Sequence, residues 1–312
     1  TVSLAVTAPP GVSRRRPTAL TRGSREARSS RSNTRATTLF SRAKNPDQVV
    51  LFILFGTGIL SAVLMNDTVA LIGTPLVLGL ATKWKISPKL LLLSLAMAIT
   101  TGSVMSPIGN PQNILISQKM GLAFGPFVAH CVLPVVLSLA ALYLFLLRSV
   151  PRMMPAAGPR IRREDAQPFL PGQAAKAIVL TVAAIALFLT PVPAGLTAMA
   201  AARLLTTWGA NLALPTVSIP VVAVLGNLVG NVPAVMLLLP LTPPEPIAGY
   251  ALALASTLAG NAVLVGSIAN LIVAEYAQRE GLRFGFREHL RVGLPITVIS
   301  LGFAVGAMAL WR

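Results

Sequence analysis

The stretch TTGSVMSPIGNPQNILIS, Thr100 to Ser117, lies inside a long apolar run. Yet it packs two prolines, two glycines, two asparagines and a glutamine into the middle of that run. A helix that only crosses a bilayer has no use for them, because proline removes a helical donor and glycine costs helix stability. The stretch therefore predicts a broken helix. Its freed backbone groups must face protein or a water-filled cavity, since lipid offers them no partner.

The surrounding composition sets the solvent. Of 312 residues, 54% are apolar and 11% charged, and the mean hydropathy is +0.74, which marks an integral membrane protein. Apolar runs recur at Val49–Met65, Phe127–Leu147, Ala174–Leu189, Ala248–Val273 and Val292–Trp311, so several spans are expected. The single cysteine, Cys131, excludes an internal disulfide and reads as packing. No His/Cys/carboxylate set has metal-ligand spacing, and neither a Ser/His/Asp arrangement nor a phosphate loop is present, so an enzyme is not expected. His130 and Cys131 read as structural, and His289, among basic residues, as solvated.

The net charge of +17 is not a nucleic-acid signal, because it is split between two contexts. Residues 1–45 carry ten Lys/Arg against the single acid Glu26, are rich in Ser and Thr, and lack apolar periodicity. They are expected to be disordered, either as a cytoplasmic extension or as sequence upstream of the domain proper; a targeting peptide has the same composition. The other basic residues fall in blocks between apolar runs, and the positive-inside rule makes those blocks cytoplasmic. They are Arg42 and Lys44 together with Lys83, Lys85 and Lys89; Arg148 to Lys176; and Arg279 to Arg291. The loops near Ala123 and Pro243 are assigned outside. The run from Asp47 to Thr82 then begins and ends on one side, interrupted at Met65–Thr68, and is expected to be a re-entrant hairpin with a polar tip.

An internal repeat reorganises the chain. LMNDTVALIGTPLVL (Leu64 to Leu78) resembles VGNVPAVMLLLPL (Val229 to Leu241), with Asn66 opposite Asn231. IGNPQNILI (Ile108 to Ile116) resembles VGSIANLIV (Val265 to Val273), pairing Gly109 with Gly266 and Asn113 with Asn270. A Gly-x-x-Phe-Gly loop and Pro134 or Pro295 complete each half in the same order. The charges place the two hairpin mouths on opposite sides. The expected fold is thus an all-α polytopic membrane protein built as an inverted repeat, with two re-entrant hairpins and two discontinuous helices, an architecture of secondary transporters. Half-helices starting near Gln112 and Ala269, and hairpin arms starting after Thr68 and Pro233, would aim positive dipole ends inward at an anion. Freed carbonyls with Asn and Ser side chains would suit a small cation beside it.

At these residues the chain resembles the ion transporter superfamily, which includes citrate-transporter-like permeases, sodium-coupled dicarboxylate carriers, arsenite efflux pumps, D-type Na⁺/H⁺ antiporters and the melanosomal P protein. The Ser-Asn-Thr hairpin tips of the dicarboxylate carriers look like Met65-Asn66-Asp67-Thr68 and Gly230-Asn231-Val232-Pro233 here, and their Gly-x-Pro-Pro-Asn-type breaks look like Gly109 to Asn113 and Gly266 to Asn270. The resemblance runs from about Gln48 to the C-terminus. Ala194 to Pro215 has length for one helix where such members have two, so the chain is expected to be a shortened member.

The expected organisation is a disordered extension over 1–45, a first repeat over 46–148, a basic cytoplasmic loop over 149–173 and a second repeat over 174–312. In the first repeat the hairpin covers 48–82, the broken helix 90–118 and the closing helix 127–147. In the second, scaffold helices cover 174–210, the hairpin 217–241, the broken helix 248–275 and the closing helix 292–311. Candidate substrate- and ion-binding residues are Asn66, Asp67, Thr68, Ser106, Gly109, Asn110, Asn113, Asn231, Asn261, Gly266, Ser267 and Asn270, with Na⁺ at Asn66, Asp67, Asn110, Asn231 and Asn270. Asp67 has a second reading, as N-cap of an arm beginning at Val69, and an intramembrane acid is a functional candidate by default. No cofactor is expected beyond a coupling Na⁺ or H⁺. Expected partners are a small anion, the lipid bilayer and a second copy of the chain, and not nucleic acid; the expected location is a bacterial inner membrane. The expected function is secondary active transport of a small inorganic or carboxylate anion, coupled to Na⁺ or H⁺, by alternating access around a midplane site; a Na⁺/H⁺ antiporter, an arsenite efflux permease and a truncated, non-transporting remnant are the alternatives.

Overall fold

The computed structural model describes residues 45–151, 207, and 214–311 apart from 283. The expected extension (1–45), the basic loop (149–173) and the scaffold helices (174–210) lie almost wholly outside the described residues. Within them every regular element is helical and no strand forms.

Proline and asparagine set most of the helix starts. α1, Pro46–Val63, is capped by Asn45, whose side chain accepts from the Gln48 N–H at 2.9 Å. After Leu64 and Met65 the chain re-enters a helix, α2, Asn66–Trp84, which ends on Lys85 in the left-handed region (φ 53°). α3, Pro88–Ser103, follows, and the quoted stretch then unwinds over residues 104–110 before α4, Pro111–Met120. α5, Phe124–Ser149, closes the first half. In the second half α6, Pro215–Val229, meets α7, Asn231–Leu238, at Gly230, whose φ of +94° is one that residues with a Cβ rarely adopt. α8, Pro246–Ala259, breaks over 260–267 before α9, Ile268–Arg279, and α10, Phe286–Leu310, closes the half.

The half-helices begin within a residue of the expected Gln112 and Ala269. The hairpin arms begin earlier than expected, at Asn66 and Asn231. Asp67 is therefore not a cap: it lies inside the first turn of α2, and the Asn66 side chain accepts its N–H at 2.9 Å. The closing helices overrun their expected bounds at 127 and 292, because Phe124 and Phe286 already lie in helical turns.

Three of these helices, α1, α5 and α10, are long and apolar enough to cross a membrane. The pieces of the broken helices, with 16, 10, 14 and 12 residues, fall short of the roughly 20 that a bilayer core requires. α3 and α8 form the centre. Every residue from Leu90 to Ser103 and from Gly249 to Ala259 is buried, as fits helices apolar on all faces.

Exchanging α1–α5 for α6–α10 reproduces nearly all of the packing. α1 packs on α3 as α6 does on α8, α2 on α9 as α7 on α4, and α3 on α5 as α8 on α10. The halves run in opposite senses. His130, near the start of α5, meets the ring of Trp311 at the end of α10, with centroids 4.5 Å apart, so the two closing helices lie antiparallel. Likewise Lys89 at the start of α3 pairs with Glu288 at the start of α10 (2.6 Å), while at the start of α8 Tyr250 stacks on His130 and meets Phe127 edge-on, both near the start of α5.

One contact in the first half is unusually close. A Cβ on Gly102 would fall 2.2 Å from the Gly58 carbonyl, so α1 and α3 touch backbone to backbone, the small-residue packing common between membrane helices.

Candidate functional site

The first break folds in on itself through Asn110 and Asn113. Asn110 caps α4, its side-chain oxygen accepting from the Asn113 N–H at 2.9 Å and its amide donating to Ser103 Oγ at 3.0 Å. The Asn113 amide donates to the freed carbonyls of Ser106 (2.9 Å) and Ser103 (3.3 Å). Both asparagines are fully buried. Gly109 passes so close to the Ser103 carbonyl that a Cβ would fall 2.0 Å from it, and its own carbonyl accepts from the Asn66 N–H at 3.0 Å. The first hairpin tip is thereby tied to the first break. Ser106 strengthens this by donating to the carbonyl of Ala62, near the end of α1, rather than to its own turn.

The second break repeats the pattern with different side chains. Asn270 donates to the Gly260 carbonyl at 3.0 Å, the counterpart of Asn113 on Ser103. Gly266 fits between Gly260 and Asn227: a Cβ there would be 2.9 Å from the Gly260 carbonyl and 2.8 Å from Asn227 Oδ1. Asn231 reaches this break as well, its amide lying 2.8 Å from where a Gly260 Cβ would be. Asn66 and Asn231 thus approach the breaks by separate routes, through Gly109 and Gly260. Asn261 crosses between the halves, donating to Thr101 Oγ1 (2.8 Å) and the Met97 carbonyl (3.3 Å) of α3.

Of the expected residues, Ser106, Gly109, Asn110, Asn261, Gly266 and Ser267 are buried in the breaks, Asn113 and Asn270 are buried in the first turns of α4 and α9, and Asn66 is buried against them. Asp67 is half-buried beside Asn66, and Thr68 is exposed and stands apart from the buried set.

Several participants carried no signal strong enough to be named. Thr100 and Thr257 bond to the breaks, Gln112 donates to Thr257 at 3.3 Å, and Asn227 donates to the Ala259 carbonyl at 3.0 Å. Asn227 could have been found as a polar residue one helical turn before Asn231. His289 is a correction. It is fully buried rather than solvated, and its Nε2 lies 3.0 Å from the carbonyl of Asn261, which the break frees. Helix α10 turns this face inward, with Gly293 one turn further along making room for the same carbonyl.

The chemistry of the region is twofold. The N-terminal ends of α2, α4, α7 and α9 all lie at the tips and breaks; the first N–H groups of α2 are taken by the Gly109 carbonyl and the Asn66 side chain and α4 is capped by Asn110, whereas α7 and α9 have no side-chain cap, which leaves positive dipole ends suited to an anion. The carboxamide oxygens of Asn227, Asn231 and Asn261 are buried without a hydrogen-bond donor, and such acceptors suit a small cation. Beside α4 a cavity of about 570 Å³ runs to α7, lined by Leu115, Lys119, Met236 and Pro240.

A family profile described as citrate transporter matches residues 33–245. The chain belongs to the citrate transporter family. The family is one of permeases, not enzymes. Relatives include the inner membrane protein YbiR of Escherichia coli, 37% identical over 83 residues, 27% of this chain and 22% of that protein. The silicon efflux transporter LSI3 of Oryza sativa subsp. japonica is 38% identical over 82 residues, 26% of this chain and 17% of that protein. The uncharacterized transporter Rv2684 of Mycobacterium tuberculosis is 23% identical over 333 aligned positions, covering 86% of this chain and 77% of that protein. The matched segment is thus about a fifth of YbiR's length. Membership and the apolar helices together make this family member an integral membrane protein.

Proposed function

We propose that the chain is a secondary active transporter of a small inorganic or carboxylate anion, coupled to Na⁺ or H⁺, working by alternating access around the tips and breaks. One observation carries the reading: the uncapped N-termini of α7 and α9 and donor-less carboxamide oxygens occur together where the hairpin tips reach the breaks. The N–H groups of α7 and α9 would hold the anion. The oxygens of Asn227, Asn231 and Asn261, with freed carbonyls of the breaks, would hold a co-transported cation. Asn66, Asn110, Asn113 and Asn270 order the backbone that does so. Two re-entrant hairpins belong to this proposal, as does a bacterial inner membrane, which the name of the Escherichia coli relative supports.

A second reading, exchange of Na⁺ for H⁺, is favoured by Asp67, an acid in the first turn of α2 beside Asn66. Purified protein in proteoliposomes, offered arsenite, sulfate, citrate or succinate with and without Na⁺ and pH gradients, tests both. Accumulation of one anion driven by either gradient is the expected result. Sodium–proton exchange with no anion flux would replace the first reading with the second, and no gradient-driven flux of any kind would overturn both.

A further inference from the structure

Hydroxyls in membrane helices commonly bond to the carbonyl one turn back in their own helix. Thr74, Ser94, Ser117 and Ser138 do so here, each at 2.7 Å. Thr100 and Thr257, both buried, turn away from their helices and reach the opposite half. Thr100 of α3 lies 3.3 Å from Asn270 Oδ1, in the first turn of α9, and 3.3 Å from Ser267 Oγ, at the end of the second break. Thr257 of α8 donates to Asn113 Oδ1 at 3.4 Å and accepts from the amides of Asn110 and Gln112, each at 3.3 Å, at the first break and the first turn of α4 that follows it.

The correspondence is residue by residue. The register that pairs Gly109 with Gly266 pairs Thr100 with Thr257, Asn110 with Ser267 and Asn113 with Asn270. Each threonine therefore bonds to the same two positions of the other half. A chance polar contact has no reason to recur under the exchange. A hydroxyl that merely satisfied itself would have used its own helix.

We propose that Thr100 and Thr257 are positioning residues that exchange support between the halves. Each hydroxyl holds the broken helix of the opposite half in register, so that a change at one break is felt at the other. For its functional consequence the proposal rests on the transport reading above; its geometry does not. Under that reading, the pair explains how occupancy of one half-site would reach its counterpart without a direct contact between Asn66 and Asn231.

The test is hydrogen exchange on the full chain in nanodiscs, followed over 104–113 and 261–270. Thr257→Val keeps the side-chain shape and removes the hydroxyl. It is expected to speed exchange over 104–113, in the other half, by about tenfold, equivalent to about 1.4 kcal/mol, while 261–270 stays within about twofold of wild type. Thr100→Val is expected to do the reverse, and Thr→Ser at either site to restore protection, since serine keeps the hydroxyl. Faster exchange only within the substituted half, equal change in both, no change in either, or serine behaving as valine would each overturn the proposal. The same samples with sodium citrate against choline chloride separate the two readings. Crosswise exchange with no ligand-dependent protection keeps the braces and counts against transport, whereas ligand protection without crosswise exchange does the opposite.

Discussion

At the scale of single residues, the asparagines carry the sharpest expectations. If Asn66 and Asn231 serve one bound ligand set, truncating either leaves groups unpaired in a low-dielectric region, costing on the order of 1–3 kcal/mol. Asn66→Ala and Asn231→Ala should each weaken ligand-dependent thermal stabilisation, and the double variant should lose less than the sum, because residues that share a ligand couple. Strict additivity would show that the tips act independently. His289→Phe tests a different role. It removes the bond to the Asn261 carbonyl and should lower stability by about 1–3 kcal/mol even without ligand, read as a thermal shift in detergent. Asp67→Asn should alter the Na⁺ or pH dependence of flux if the acid meets the coupling ion; an unchanged profile assigns it to the first turn of α2 alone. Sequence exposed these sites unevenly, for physical reasons. Asn110 and Asn113 stand out because proline and glycine beside them forbid a continuous helix. Thr257 sits in the apolar half-helix ahead of the second break, and its partners are more than 140 residues away, so no local pattern marks it. His289 was hidden by Arg287 and Arg291, near neighbours in sequence that occupy other faces of α10.

At the scale of elements, the hairpin and the close helix pair can each be challenged. α2 runs back along α3, since Asn66 meets the Gly109 carbonyl and Gly73 lies against Leu95, which takes the end of α2 towards the basic block at Lys83 to Lys89. If α1 completes a re-entrant hairpin, cysteines at 44 and 83 in a Cys131→Ala background should be labelled from the same face. Opposite-face labelling would make α1 an ordinary span, for which its 18 residues suffice. Gly102→Ala should cost about 1–3 kcal/mol, as over-packing does, because the added methyl meets backbone that has nowhere to go. Gly56→Ala, where nothing lies within 4 Å, is the matched control and should be neutral or slightly stabilising in detergent unfolding. Helix starts were legible from Pro and Asn to within a few residues. Their partners were not, because tertiary packing of α2 on α9 and α7 on α4 leaves no trace in periodicity.

At the scale of the molecule, the two halves share one centre. α3 and α8 are buried on all sides by elements of both halves, and the breaks are bonded across, so residues 45–151 produced alone should not unfold cooperatively, whereas the intact chain should melt in one transition. Two separate transitions in the intact chain would contradict this. The exchange is nonetheless imperfect where α1 meets α3. Under the same registers the Gly58–Gly102 contact corresponds to Ala223 and Ala259, which carry methyl groups where the first half has bare backbone. A carrier built from two identical inverted halves would spend equal time open to either side. Under the transport reading, tighter closure of one half would tilt that balance, and about 1 kcal/mol would be enough for a fivefold excess of one resting orientation before any gradient acts.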